Sequence, residues 1–145
     1  MRAVVQRAQN AQVVVDDRVV GNILFGLVIL VGFTKGDGLE QIKKMVHKVL
    51  NLRIFPDDNG VMNRSVLDVE GKILSVSQFT LYADTKKGNR PSYIKALNGE
   101  EAKKLYDLWN VELAKEISVE TGVFGADMNV TLTNVGPTTI WLEME

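Results

Sequence analysis

The sequence predicts an α+β fold: one domain over residues 1–145, in which a curled, mostly antiparallel or mixed, barrel-like β-sheet carries two main helices. Apolar and β-branched residues crowd or alternate over short runs in the first and last thirds, as strands require. Two stretches, entered near residues 39 and 98, instead repeat their apolar residues at helical intervals behind capping signals. Two helices among roughly seven strands are best accommodated by helices packed onto a sheet.

Taken in order, residues Ala3 to Arg7, Ala11 to Val15, Val19 to Ile23 and Leu27 to Val31 read as strands of a meander, with a turn at Asp16 and Asp17. Asp37 and Glu40 have capping-box spacing, and Leu39, Ile42, Met45, Val46, Val49 and Leu50 then predict a helix over 39–53. Pro56 to Gly60 is a turn cluster. Lys72 to Tyr82 follows as an apolar strand whose pattern changes at the polar Gln78. A second capping box, Asn98 with Glu101, opens a helix whose stripe is Ala102, Leu105, Trp109, Leu113 and Ile117. Met128, Val130 and Leu132 alternate with polar residues, and after a break at Gly136 and Pro137 so do Ile140, Leu142 and Met144, giving strands with one buried face.

With 46% apolar residues the chain can build one substantial core. It has no cysteine, which removes disulfides, thiolate nucleophiles and cysteine-bound zinc, and fits a reducing compartment, so the cytoplasm is expected. Arg7 stands where a signal peptide would carry its apolar run, and the longest apolar stretch, Ile23 to Phe33, is interrupted by Gly26 and Gly32, so no membrane association is expected. Net charge is −1, so nucleic-acid contact must be local and no DNA partner is expected. The largest basic cluster is Lys86, Lys87 and Arg90 around Gly88.

Several chemistries lack their residues. The single histidine, His47, falls on the polar side of the first helix among lysines, where it cannot serve a Ser-His-Asp triad. No His/carboxylate grouping has metal-ligand spacing, so neither metal nor cofactor is expected. Asp57-Asp58-Asn59-Gly60 fails as a calcium loop because Phe55 occupies the first ligand position, and Gly32 to Gly38 matches neither phosphate-binding fingerprint. An enzyme built from this chain would rely on backbone dipoles, hydroxyl groups and groups of its own substrate.

Two motifs remain: Ser77-Gln78-Phe79-Thr80-Leu81 at the end of a buried strand, and Asn134-Val135-Gly136-Pro137-Thr138-Thr139 between two alternating strands. They resemble the SQxTL and NxGPxT signatures of the D-aminoacyl-tRNA deacylases, in the family's order. The opening MRAVVQR, the Lys87 to Ser92 loop and Phe124-Gly125-Ala126-Asp127-Met128 look familial too, so the resemblance covers the whole chain. Thr138 stands where many members carry valine, a β-branched exchange that the fold tolerates but that alters local hydrogen bonding. The single Val135 before Gly136 favours the D-specific branch over the branch that acts on mischarged L-alanine.

The resemblance implies hydrolysis of D-aminoacyl-tRNA at its 3′ end, with some loss of glycyl-tRNA, by a homodimer whose active site lies at the subunit interface. It also implies a cis Gly136–Pro137 bond entering the partner's pocket as a main-chain gate against L-amino acids. Arg7 would hold that gate; read alone, it is a strand-edge arginine. An aminoacyl ester is already activated, so positioned water and a stabilised oxyanion suffice. Main-chain N–H groups near Phe79 and Thr80 are the oxyanion candidates, and the family and the missing histidine together imply proton transfer through the terminal ribose 2′-hydroxyl.

The other roles have two readings each. Thr80 is either a covalent nucleophile or a positioning hydroxyl, and no base for it is visible. Gln78 either bonds substrate or is a satisfied core amide. Phe124, Gly125, Ala126 and Met128 either line a slot for the terminal adenine or are ordinary core. Asn134, Lys86, Lys87 and Arg90 are candidates for substrate or tRNA contact, or a solvated loop in the basic case. Two rival functions stay open: a non-catalytic RNA-binding or assembly module, and a hydrolase of small esters or amides.

Overall fold

The computed structural model describes residues 1–145. Its strands are β1 (Arg2–Val15), β2 (Arg18–Gly32), β3 (Phe55–Pro56), β4 (Met62–Arg64), β5 (Lys72–Ser77), β6 (Val119–Thr121) and β7 (Asn129–Glu143). Helix α1 (Leu39–Asn51) lies between β2 and β3, and α2 (Gly99–Ala114) between the 3-10 turn Phe79–Tyr82 and β6. Five strands form one mixed sheet in the order β6-β5-β2-β1-β7, while β3 and β4 pair separately. The sheet is open, with β6 and β7 at its edges, so the barrel-like expectation is corrected: the strands curl without closing.

The first hairpin follows from its turn. Asp16 and Asp17 have φ of 49° and 62°, conformations that Asp tolerates better than most residues and that a two-residue turn between twisted strands requires. β1 pairs antiparallel with β2 and with β7, whereas β2–β5 and β5–β6 are parallel. The parallel pairs need long crossovers, and α1 and α2 lie within them.

Several predicted breaks are irregularities inside continuous strands. The segments Ala3 to Arg7 and Ala11 to Val15 join through Asn10, at φ 49°, into one β1. Val19 to Ile23 and Leu27 to Val31 likewise join as β2. β7 runs through Gly136–Pro137, because β1 pairs on both sides: Gln6 opposes Thr139 and Ala8 opposes Asn134, leaving Val135–Thr138 as an excursion opposite Arg7. The predicted strand Lys72 to Tyr82 is shorter, since β5 stops at Ser77 and the chain turns at Gln78 into the 3-10 helix.

The helix entries divide. Asn98 Oδ1 accepts from the Glu101 N–H at 3.0 Å, as its spacing predicts. At α1 the box is displaced by one residue: Gly38 is the N-cap and its N–H donates to Gln41 Oε1 at 2.9 Å. Asp37 is engaged elsewhere, accepting from the Thr34 N–H and from the Met1 amino group.

Alternation along the strands places Leu27, Ile29, Val31 and Ile73 on one face with Ile42, Met45, Val49 and Leu50 of α1 and Tyr106, Trp109 and Leu113 of α2. Tyr106 is buried in the α2 stripe beside the expected residues, Leu105 packs half-buried against the core, and Ile117 packs on it from beyond the helix end. Val28, Leu74, Val76, Ala8 and Val13 point to the opposite face, where they are buried beneath the half-buried Met128, Val130 and Leu132. No helix is long and apolar enough to cross a membrane.

Candidate active site

The end of β5 is held from two sides. Underneath, fully buried Ser75 receives Trp109 Nε1 on its hydroxyl at 3.1 Å and the Tyr106 hydroxyl on its carbonyl at 2.8 Å. Burial raises the Tyr106 pKa, which keeps that hydroxyl a donor. Beside it, the Gln78 N–H donates to Val31 O at 2.7 Å, the last tie to β2 before the strand ends. Leu81 N–H then donates to Gln78 O at 3.2 Å and Ala83 N–H to Thr80 O at 3.0 Å, closing the 3-10 turn. Opening N–H groups of a helical turn have no acceptor within it, which applies here to those of Phe79 and Thr80.

A cavity of about 660 Å³ opens at this point. Ser77, Gln78 and Phe79 form one wall, Phe124, Gly125, Ala126, Asp127 and Met128 another, and Tyr93 with Leu97 a third. Phe79 and Tyr93 meet edge to face at 5.1 Å between ring centroids. Sequence reasoning missed Tyr93, Leu97 and the start of α2 as lining residues. For the start of α2 the Asn98 cap was the available signal, because it fixes where that helix begins. A second, more open cavity of about 700 Å³ lies over Asn10–Gln12 and Asn22–Phe25 and contains neither motif.

Thr80 lies beside the cavity and does not line it; its hydroxyl oxygen accepts from Gln78 Nε2 at 2.5 Å. One donor of the Gln78 amide is thus used within its own turn. Neither histidine nor carboxylate bonds the Thr80 hydroxyl, and His47 is exposed on α1. Three or more His, Asp or Glu side chains are nowhere grouped as a metal centre requires.

The second motif forms a braced corner away from this cavity. The Gly136–Pro137 peptide bond is cis, Gly136 has φ 124°, and both residues are exposed. Arg7 Nε donates to Val135 O at 3.1 Å and an Arg7 terminal nitrogen to Ile54 O at 2.8 Å, tying the corner to the segment after α1. Asn134 Oδ1 accepts from Thr138 N–H at 2.8 Å and its Nδ2 donates to Thr139 Oγ1 at 2.9 Å, so the Asn134 amide is engaged within the corner. The buried Thr138 hydroxyl has no hydrogen-bond partner within the chain. Within one chain, then, Arg7, Asn134, Gly136 and Pro137 stand together, but not with Ser77 to Thr80.

The basic loop flanks the cavity. Asp84 and Ser92 exchange two main-chain hydrogen bonds, and Lys86, Lys87 and Arg90 project into solvent between them. Asp84 fixes the loop: its Oδ1 accepts from Lys86 N–H at 3.0 Å and its Oδ2 lies 3.3 Å from Lys95 Nζ. The Lys86 N–H chiefly, then Lys95, hold the Asp84 carboxyl below its usual range. A depressed carboxylate contributes order that is present above its unfolded pKa and lost as pH falls through the folded one. The Lys86 amide resonance should therefore stay constant at neutral pH and move only below the ordinary aspartate range. A midpoint at or above that range would contradict the anchoring.

An aromatic-walled, ligand-sized cavity whose lining holds one carboxylate, Asp127, on an open mixed sheet defines a small α+β protein with a single site at the end of β5 that both the first motif and the Phe124–Met128 segment share. The chain belongs to the D-Tyr-tRNA(Tyr) deacylase family, whose model matches residues 4–143. The D-aminoacyl-tRNA deacylase of Lactobacillus gasseri is 53% identical over 145 residues, covering 99% of this chain and 100% of that protein. That of Limosilactobacillus reuteri is 55% identical over 144 residues, covering 99% of each. Among solved structures, one described as a c-Myc DNA Unwinding Element Binding Protein superposes with TM-score 0.95 at 39% identity, covering 100% of this chain and 99% of that one. A probable eukaryotic D-amino acid tRNA deacylase superposes at 0.84 with 18% identity over 99% and 98%, which shows the shared fold.

Proposed function

We propose that this protein hydrolyses the ester of D-aminoacyl-tRNA, using the cavity at the end of β5 in one copy and the Gly136–Pro137 corner of a second. The observation that carries the reading is the convergence of Ser77, Gln78 and Phe79 with the distant Phe124–Met128 segment on one cavity, in a chain of this family. Phe124, Gly125, Ala126 and Met128 form the slot for the terminal adenine, and Lys86, Lys87 and Arg90 meet phosphates of the acceptor end. The reaction belongs to the cytoplasm, where aminoacyl-tRNA is used.

The corner supplies stereochemistry. Exposed on edge strand β7 and outside its own cavity, it is free to enter that of a neighbouring copy, which makes the homodimer the working unit. Fixed main-chain oxygens facing the substrate α-carbon leave space for hydrogen and none for an L side chain. Such a gate tests which side bears the substituent, whatever its chemistry, so glycyl-tRNA leaks through. Arg7, by holding Val135 O, keeps the gate in register.

Chemistry then needs water, an oxyanion site and a proton route. The N–H groups of Phe79 and Thr80 receive the oxyanion, and the terminal ribose 2′-hydroxyl relays the proton. Thr80 acts as a positioning hydroxyl, since its only partner is the Gln78 amide, which cannot act as a base. Thr80→Val is expected to retain burst-free turnover, slowed by about tenfold or less through loss of the Gln78 contact. Trapping of an acyl-Thr80 species by rapid quench would reverse that assignment.

The name of the 39%-identical structure attributes DNA-element binding to that protein. The near-neutral charge of this chain and its small local basic cluster favour the cavity as the functional feature. D-Tyr-tRNA, D-tyrosine methyl ester and a matched uncharged tRNA should be assayed in parallel. Hydrolysis of the charged tRNA well above the free ester is expected. Binding without turnover would make the protein an RNA module, and equal rates would make it a small-ester hydrolase.

A further inference from the structure

Resting on the deacylase reading above, the geometry points to Arg2 as a positioning residue that locks the 3-10 turn Phe79–Tyr82 into its productive place. Arg2 opens β1, where it opposes Gly32 on β2 and Glu143 on β7. Directly opposite residues on adjacent strands project to the same face, so the Arg2 side chain rises where Gly32 has none. That gap receives the turn: a Cβ built on Gly32 would come 2.7 Å from Gln78 O, 3.4 Å from Leu81 Cβ and 3.5 Å from the Tyr82 ring.

The guanidinium reaches Leu81, Tyr82, Trp141 and Glu143 around that space. A terminal nitrogen donates to Leu81 O at 2.8 Å, and Nε pairs with the Glu143 carboxylate. Its central carbon lies 4.4 Å from the Tyr82 ring centroid and 5.4 Å from that of Trp141. Burial first, and the nearby Asp37 charge second, raise the Tyr82 pKa, so this ring meets Arg2 as a neutral phenol. Carbonyls at the end of a short 3-10 turn are otherwise free. Arg2 satisfies the one at Leu81 and ties it to β7, the strand that carries the Gly136–Pro137 corner. One planar cation thereby links the turn carrying Phe79 and Thr80 to the opposite edge of the sheet.

Arg2→Met, Arg2→Lys and Trp141→Leu in the full chain test this, with kcat and KM for D-Tyr-tRNA measured beside amide hydrogen exchange. Arg2→Met is expected to lower kcat about tenfold or more with little change in KM, because the fault is in placement. The Leu81 and Ala83 amides should exchange faster, while those of Val5 and Ile29 in the β1–β2 core keep their protection. Arg2→Lys keeps the charge and one donor, loses the planar stack, and should recover part of the rate.

Unchanged exchange at Leu81 and Ala83, or a kcat within about twofold of the parent, overturns the proposal. So does an equal loss of protection at Val5 and Ile29, which would make Arg2 a general structural residue. Trp141 is half exposed, so Trp141→Leu should fold even where Arg2→Met does not. The same local pattern at reduced size supports the anchor, and its absence overturns it. Lack of turnover by the parent chain would overturn the deacylase reading, with the exchange result still deciding the anchor.

Discussion

Gly32→Ala is expected to cost about a hundredfold in deacylation while leaving the protein folded, because the added methyl would push against the floor of the catalytic turn. The nearest obstacle is the main-chain oxygen of Gln78 at 2.7 Å, an atom with no rotamer to escape into. Gln78 O is itself the acceptor for Leu81 N–H, so its displacement moves the N–H groups of Phe79 and Thr80 together with it. Overpacking of this kind typically costs about 1–3 kcal/mol. A urea titration should show a lowered midpoint with a clear native baseline, and single-turnover assays should show the larger loss. Parent-like rates would mean that the turn is not the place where the ester is positioned.

Gly136→Ala is expected to damage selectivity more than stability. Gly136 has φ 124°, where a side chain adds about 1–3 kcal/mol of strain. A Cβ there would lie 2.8 Å from an Arg7 terminal nitrogen, 2.8 Å from Thr138 Oγ1 and 3.3 Å from Thr138 N. The Arg7 tip can swing aside, but doing so weakens its grip on Val135 O, and the Thr138 backbone cannot swing. The exposed corner therefore relaxes to another conformation while β7 keeps its pairing on both sides. The ratio of D-Tyr- to L-Tyr-tRNA hydrolysis should fall by about tenfold or more, each decade being about 1.4 kcal/mol of lost discrimination. An unchanged ratio would remove the corner from the account of chirality.

Local pattern made much of the architecture legible. The α1 and α2 stripes, the Asn98 cap, the Asp16–Asp17 turn and the polar interruption at Gln78 are each fixed by residues within a few positions of one another, and each corresponds to an element or a break. What escaped depends on distant partners. β6 has only Val119–Thr121 and exists because β5 offers it a parallel edge, which no short window reveals. β1 and β2 read as four strands in short windows, yet pairing on either side of Asn10 and at Gly26 makes each continuous.

The site divides along the same line. Ser77 to Phe79 and Phe124 to Met128 could be selected from their segments, and they meet on one cavity. Tyr93 and Leu97 could not, since their position depends on the Asp84–Ser92 loop closing and on Leu97 N–H reaching Phe33 O. Asp37 illustrates a local rule overridden by a distant partner: its spacing to Glu40 suggests a cap, and the Met1 amino group claims the carboxylate.

Hydrolysis of D-Tyr-, glycyl- and L-Tyr-tRNA by the same preparation, at equal concentration, bears most directly on a stereochemical gate made of main chain. The account predicts rapid release of D-tyrosine, measurable release of glycine and no release of L-tyrosine above the uncatalysed rate. Comparable release of both tyrosine enantiomers would contradict it.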